Sequence, residues 1–572
     1  MDGAYVGSED PCINGYNNVT NHSKALGIYV YTESEIQACQ ESNDPWSEAS
    51  KYGQWITYYM LTVLGVVSIV NGIRRFHNLN RINGLQSLFS IHPMVSAIFR
   101  WASYLQLKAF RKFIPALGPL LLIISFWIFS VAVCVLPRPF YRSPKFRDSA
   151  LSLRAGWIAT AMVPWAYATA TKRNILVYIS GVSYHRILTL HKSIPWICLF
   201  MSILHAFTKF IKVNRQKPWW HTVKTDPHFL SGLLALIALA WLCVMSLGQV
   251  RNRFYETFYF LHMLFAVVFL VWTYIHLNNA SKAWQYIHPT TVIWSAAILW
   301  QFLVHANDHG WFKKIPRASV ESLGPKAFRI SISMPNKRTW GAGSYVYLRF
   351  LSIRPWESHP FTISSLPGTS VQEEHEESGQ SGINQMVFLI RPQTGLTERL
   401  HNLLMASQGQ LMCSCLVDGP YDGFMNKLRA CDSVVLLAGG RGMVAIIPVA
   451  QALQRASGEI GISCCKNIKV VWSFKELSAL NFFKFQLDEV KGFVSAYNTG
   501  NADLKTGFTT ESFNYENDVS QQCLTPEDCF DKLERGRPNI QLIIGHAAKK
   551  FSGRLGILGK LNHCIMYLGL KF

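Results

Sequence analysis

Acidic residues are scarce in this chain, which sets 34 Asp and Glu against 55 Lys and Arg in 572 residues for a net charge of +21. The excess of positive charge comes without any dense Lys/Arg tract or nucleic-acid-binding motif, which excludes nucleic acid as the partner and leaves anionic lipid headgroups and anionic cofactors. None of the 13 cysteines forms a Cys-x-x-Cys pair or has the spacing of zinc ligands, so a structural zinc site is excluded as well. Cys12 and Cys39, in the polar N-terminal segment, are the disulfide candidates, given an oxidising compartment. The first residues also lack a basic region followed by an apolar one, so no cleavable signal peptide is visible and the first apolar span would act as the export signal.

What the chain has in abundance is apolar sequence, and it is unevenly placed. Residues 1–54 are polar and carry two sequons, at Asn18 and Asn21, which makes them a candidate glycosylated ectodomain. Residues 55–305 are dominated by apolar runs. Seven of these have transmembrane length: Trp55–Asn71, Ala116–Leu136, Ala155–Thr171, Ile187–Ile211, Phe229–Gly248, Glu256–Leu277 and Thr290–Val304. The basic loops around 74–112, 172–192 and 251–253 favour the cytosol. The N-terminus would then lie outside, with the sequon at Asn279, and the C-terminal half in the cytosol.

Two of the apolar runs carry histidines in pairs. His191 and His205 are 14 residues apart, and so are His262 and His276. On a helix that offset keeps both rings near one face and separates them by roughly 21 Å, most of a hydrocarbon core roughly 30 Å thick. Two such helices side by side would pair His191 with His262 toward the cytosol and His205 with His276 toward the exterior. Each pair frames a gap suited to a haem with two imidazole ligands, whose task would be electron transfer because no position on the iron is left open. Isolated intramembrane histidines can instead satisfy local hydrogen bonds, but equal spacing in two helices otherwise almost free of charge is harder to explain that way. His185 reads as a loop residue. His221, His228 and His288 fall at membrane edges or in outer loops, where solvated or interfacial imidazole is the simpler account.

From residue 315 the pattern changes to short alternating strands, FRISISM, GSYVYLRFLSI and QMVFLIRP, which suggest a small antiparallel barrel over 315–425. Between the second and third strands lies His359-Pro360-Phe361-Thr362-Ile363. A flavin ring needs an apolar wall, a hydroxyl and an extended backbone beside it, and this pentapeptide offers all three. Arg391 and the turn at Gly395 and Thr397, which opens the helix TGLTERLHNLL, suit a diphosphate. The acidic, Ser/Gly-rich stretch 368–382 reads as an insertion loop. A second cytosolic domain covers 430–572. Its buried strand SVVLLA runs into the turn Gly439-Gly440-Arg441-Gly442 and then a helix, the first unit of a nucleotide-binding α/β sheet. The next strand, IKVVWSF, ends at Lys475. That lysine is placed either to meet the 2′-phosphate that separates NADPH from NADH or to sit solvated in a loop. NIQLIIG, after Pro538, reads as a last strand.

The run RNILVYISGVSYHRILTLHKSIPWICLFMSILH, together with HPFTI and the glycine turn, resembles the fungal ferric and cupric reductases, part of the flavocytochrome b superfamily shared with the NADPH oxidases. The resemblance covers roughly residues 120–550. It implies an α-helical multispan membrane domain with two haem b sites at His191, His205, His262 and His276, so that the metal is haem iron. A cytosolic β-barrel FAD domain would follow, with an α/β NADPH-binding domain of ferredoxin reductase type after it. His359, Pro360, Phe361, Thr362, Arg391, Gly395 and Thr397 would bind FAD, while Gly439, Gly440, Arg441, Gly442 and Lys475 would bind NADPH. Electrons would pass from cytosolic NADPH to extracellular ferric or cupric ions or chelates at the plasma membrane, for metal uptake, with a multicopper oxidase or a permease as a candidate partner. The alternative within the superfamily is a superoxide-generating NADPH oxidase.

Two departures from the resemblance stand out. Arg441 occupies a position where relatives usually carry a small hydroxyl residue, so a long cation there either crowds the phosphates or binds them. Beyond Leu558 the chain continues as Gly559-Lys560-Leu561-Asn562-His563-Cys564 and on to Phe572, where relatives carry a Cys-Gly-Pro turn beside the nicotinamide. The expectation is an atypical C-terminal end that accepts hydride poorly, unless Cys564 and Phe572 supply a substitute wall.

Overall fold

The structure, a computed structural model, describes residues 45–84, 103, 105, 115–137, 150–216, 218–278, 282–309, 315–324, 327–335, 338–368, 383–421, 423, 425–456, 462–475, 483, 494–498, 532–535, 538–550, 554–561 and 564–571. Cys12, Cys39, the sequons at Asn18, Asn21 and Asn279, most of the acidic insertion, His563 and Phe572 lie outside the described residues. The chain forms two compact units, one of residues 1–72 and 103–302, the other of 73–102 and 303–572.

Long helices make up the first unit: α1 (Pro45–Ile82), α2 (Leu117–Val135), α3 (Ala150–Ala170), α4 (Tyr184–Gln216), α5 (Pro227–Met245), α6 (Tyr255–Leu277) and α7 (Trp284–Asp308). Among the described residues six helices are long and apolar enough to cross a membrane, and α3 is not one of them. α3, which includes the third of the seven expected spans, is less apolar because it is rich in Ala, Gly, Ser and Thr and includes Arg154. Small residues let neighbouring backbones approach closely, and α3 is buried over most of its length while packing against α4. Arg154 is satisfied inside the unit, donating to the Pro137 carbonyl at 2.5 Å with its guanidinium 5.1 Å from the Tyr52 ring centre. The helices outrun the apolar stretches. α1 starts at Pro45, within the segment expected to be ectodomain, and α4 starts at Tyr184, which puts His185 in an exposed first helical turn and not in a loop. α5 packs against α6, and Ile158, Met162, Ile194, Ile197, Met201 and Leu239 are among the side chains that fill the core between the helices.

The second unit begins with β1 (Arg317–Ser322), β2 (Phe328–Pro335), β3 (Tyr345–Phe350), β4 (His359–Thr362), β5 (Ile383–Ile390), α8 (Leu396–Ala406) and β6 (Gln410–Tyr421). The strands pair antiparallel in the order β4-β3-β6-β1-β2-β5. The Ser364 N–H just past β4 donates to the Val387 carbonyl in β5 at 2.8 Å, which brings the two edges together as a barrel. Phe328, Phe350 and Phe388 fill the interior, and α8 adds Leu396, Leu400 and Leu404 at four-residue spacing.

The nucleotide-binding sheet follows, with β7 (Ser433–Gly439), α9 (Met443–Ala456), β8 (Asn467–Phe474), β9 (Val494–Asn498), β10 (Lys532–Arg535), α10 (Ile540–Lys550), β11 (Arg554–Leu561) and β12 (Cys564–Lys571). Strand order is β10-β9-β8-β7-β11-β12, parallel except for β12, which returns antiparallel along β11. Alternate residues of β7 face opposite sides: Val434, Leu436 and Ala438 meet the core that includes α9, while Val435 and Leu437 meet Ile543 and Ala547 of α10. That second layer corrects the reading of NIQLIIG as a strand. Ile540, Ile543, Ile544, Ala547 and Ala548 repeat with a helical period, and the stretch folds as α10 to cover the sheet.

The end of α7 meets β6 through polar contacts within this unit. Arg338 Nη2 lies 3.2 Å from the Asp308 carboxylate and donates to the Gly419 carbonyl at 2.5 Å, and His305 Nε2 is 3.5 Å from Asp418. His309, with no solvent exposure, accepts the Val417 N–H at Nε2 over 3.4 Å. Burial, then the neighbouring Arg338 and His305, lower its pKa from 6.5, with Asp308 opposing. Because the folded pKa lies below the unfolded one, the neutral ring's contribution to stability is complete above pH 6.5 and declines as the pH falls below that value. The thermal midpoint of the second unit should therefore drop more between about pH 7.5 and about pH 5.5 in the parent protein than in His309→Gln, which keeps an acceptor but does not titrate. Equal slopes would remove His309 from the account.

Candidate functional site

The four histidines meet across α4 and α6 in two layers. His191 and His262 have ring centres 6.3 Å apart at 81°, and His205 and His276 have theirs 6.2 Å apart at 76°. Three of the rings direct Nδ1 at a main-chain carbonyl of a neighbouring helix: His191 at Ala166 (2.9 Å), His205 at Ser152 (2.8 Å) and His276 at His228 (2.9 Å). The fourth, His262, has Nδ1 3.4 Å from the Ser246 hydroxyl. A ring that donates from Nδ1 keeps its lone pair on Nε2, which is the arrangement a metal-bound imidazole takes.

The spacing fits a haem. Two imidazoles bound to one iron at about 2 Å per bond have ring centres roughly 6 Å apart. Glycines make room for the outer pair, since a Cβ on Gly156 would lie 2.9 Å from His205 Nδ1 and one on Gly232 would lie 2.6 Å from His276 Cε1. An isolated glycine inside an apolar helix is the sequence signal for such a close approach.

On the barrel, β4 pairs with β3 in a register that sets Thr362 opposite Tyr345 and Pro360 opposite Tyr347. Phe361 is partly buried against the barrel core, 6.5 Å from the Phe388 ring. Directly opposed residues share a face, and Tyr345, Tyr347 and Tyr421 have ring centres 5.8 Å apart beside Pro360 and Thr362. These tyrosines add a flat aromatic surface beside the pentapeptide against which a flavin could lie. His359 Nε2 lies 3.2 Å from the buried Glu357 carboxylate, which also pairs with Arg354. Gly395, with φ of 97°, caps α8, and the Thr397 hydroxyl binds the main chain of Gln393. Arg391 is exposed just past β5.

In the nucleotide sheet, β8 lies on one side of β7 and β11 on the other, so the turn Gly440–Gly442 sits where strand order reverses, the usual place for a nucleotide. Gly440 has φ of 50°, and the buried Trp472 donates Nε1 to its carbonyl at 2.9 Å. Lys475 is exposed at the end of β8. β11 runs through Leu561 into the hairpin with β12, at the place where the resemblance would put a Cys-Gly-Pro turn.

Residues 155–273 match the ferric reductase like transmembrane component family, 312–423 an FAD-binding domain family, and 431–558 the ferric reductase NAD binding domain family. Membrane, flavin and nucleotide families thus match in order along the chain, two of them described as ferric reductase families. The probable cell surface ferric reductase kap2 of Aspergillus oryzae is 24% identical over 83% of this chain and 71% of its own. Ferric/cupric reductase transmembrane component 7 of Saccharomyces cerevisiae is 24% identical over 74% of this chain and 68% of its own. Ferric reductase transmembrane component 6 of the same yeast is 24% identical over 93% and 76%. The protein is a multispan integral membrane oxidoreductase with a haem-binding transmembrane domain, an FAD-binding barrel and an NAD(P)-binding sheet.

The close approach of Gly232 makes Gly232→Ala a test of the outer histidine pair. It should lower the ratio of haem to protein in purified membranes by up to half, as should His276→Ala, while leaving α5 helical. An unchanged haem spectrum would mean that His276 is not a ligand. At the other end of the chain, Lys475→Ala should narrow the preference for NADPH over NADH, read as the ratio of kcat/KM for the two cofactors. An unchanged ratio would leave Lys475 a solvated surface residue.

Proposed function

We propose that this protein carries electrons from cytosolic NADPH across the membrane to ferric or cupric ions outside, as the names of its relatives suggest for them. The observation that carries the reading is the pair of facing histidine layers in a chain that also holds a flavin-type barrel and a nucleotide-type sheet. When bound, FAD would take a two-electron hydride and release electrons singly, and two haems would pass them across the bilayer. The net reaction turns one NADPH into NADP⁺ and a proton while two ferric ions become ferrous.

The residues present would divide the work. His191 with His262, and His205 with His276, would hold the haems, their orientation set by the hydrogen bonds at Nδ1. Thr362, Pro360 and the three tyrosines would bind and orient the flavin ring, with Arg391 and the helix start at Gly395 on its diphosphate. The turn Gly439–Gly442 and Lys475 would place the nicotinamide nucleotide. A plasma-membrane location fits the cell surface relative, and an oxidase or a permease that takes up the reduced ion would be a natural partner.

Cells expressing the protein should reduce an impermeant ferric chelate at their surface, at a rate that superoxide dismutase does not change. Sensitivity to dismutase would instead identify dioxygen as the acceptor and make the protein an NADPH oxidase. Loss of the haem spectrum without loss of chelate reduction would overturn the whole route.

A further inference from the structure

Arg441 extends from the nucleotide turn to the turn ahead of α8. The Gln393 amide, with its oxygen toward the guanidinium, accepts from Nη1 at 2.9 Å and from Nη2 at 2.8 Å. Both ends of this fork stand on fixed backbone. The Gln393 N–H donates to the Thr397 hydroxyl, which donates back to the Gln393 carbonyl, each at 2.9 Å. On the other side, Trp472 holds the Gly440 carbonyl. The contact therefore joins two independently anchored turns, and the expectation that Arg441 would simply crowd or bind phosphates in its own turn omitted this second anchor.

In the functional reading above, on which this inference rests, the two turns serve different cofactors, with Arg391 and Gly395 at the FAD diphosphate and 439–442 at the NADPH diphosphate. Two diphosphates in adjoining turns repel one another, and a cation between them offsets that repulsion. A guanidinium has five N–H donors in a planar fork, of which Gln393 engages two. The others suit a phosphate oxygen, so the link to Gln393 and a hold on the nucleotide are compatible.

We propose that Arg441 and Gln393 are positioning residues that couple the two nucleotide sites: the fork ties the FAD turn to the NADPH turn, and a nucleotide bound at either one steadies the other. Coupling between binding sites is reciprocal at equilibrium, so NADP⁺ strengthens FAD binding by the factor by which FAD strengthens NADP⁺ binding, and slower FAD release is its kinetic expression. Gln393 is the cleaner probe, because its side chain has no assigned contact with either cofactor.

The test is the rate of FAD release from the full-length holoprotein in detergent, followed by flavin fluorescence with and without saturating NADP⁺. In the parent protein NADP⁺ should slow release several-fold. Gln393→Leu should reduce that slowing to less than twofold, with NADP⁺ affinity for the flavin-free protein unchanged. Gln393→Glu, which preserves a bidentate acceptor, should retain it, whereas Arg441→Lys, a cation without a fork, should lose most of it. Equal slowing in the parent and in Gln393→Leu would overturn the coupling, as would no slowing in the parent. A holoprotein that contains no FAD would instead refute the functional reading itself.

Discussion

A hydrogen bond from an imidazole Nδ1 to the main-chain carbonyl of a neighbouring helix is the constraint on which the membrane half of this protein depends. A ring N–H inside hydrocarbon must find an acceptor, and a ring whose Nδ1 is committed can present only Nε2 to a metal. α3 supplies the carbonyls for both histidines of α4, and His228 in the first turn of α5 supplies one for α6. Each histidine-bearing helix is thus backed by a support helix, and the support helix must come close enough for its backbone to be reached. The small residues of α3 follow from this requirement, as do Gly156 and Gly232 beside the outer rings. The small residues that lower the apolar content of α3 are the ones that let its backbone come within reach of the histidine rings.

The second unit answers a different requirement, that of giving two flat, charged cofactors rigid surfaces to lie on. The antiparallel barrel leaves one face of β3 and β4 to Tyr345, Tyr347, Pro360 and Thr362 while Phe361 packs against its core. The parallel sheet, covered on both sides, exposes little except the strand ends, and the glycine turn lies at one of them. Anchoring comes from side chains outside the motifs. Trp472 secures the glycine turn from the neighbouring strand, and Thr397 secures the turn that precedes its own helix.

Much of this was legible in the sequence because it is periodic or compositional. The 14-residue histidine offset survives folding unchanged, since a helix converts spacing into geometry without help from the rest of the chain. HPFTI and the glycine turn were readable for a similar reason, as short stretches whose backbone is set locally. Features that depend on distant partners were not readable. β1, with the sequence RASVES, has almost no apolar signal and is a strand because β2 and β6 lie on either side of it. NIQLIIG has the β-branched composition of a strand, yet its sheet already had a strand at each position beside β7 and needed a cover. The tyrosine wall depends on a cross-strand register that spacing along the chain does not reveal.

The histidine offset also acts as a ruler, and this limits how the protein can vary over time. Substitutions between His191 and His205 leave the two rings on one face so long as the segment stays helical. An added or deleted residue is different in kind, because it rotates everything beyond it by about 100° and carries one ring off the shared face. The same holds between His262 and His276, and matched length changes in both helices would still strand one ring from its supporting carbonyl. The intervening segments can therefore drift in composition while remaining fixed in length, and lineages of this protein should record their history there in letters exchanged, with none gained or lost.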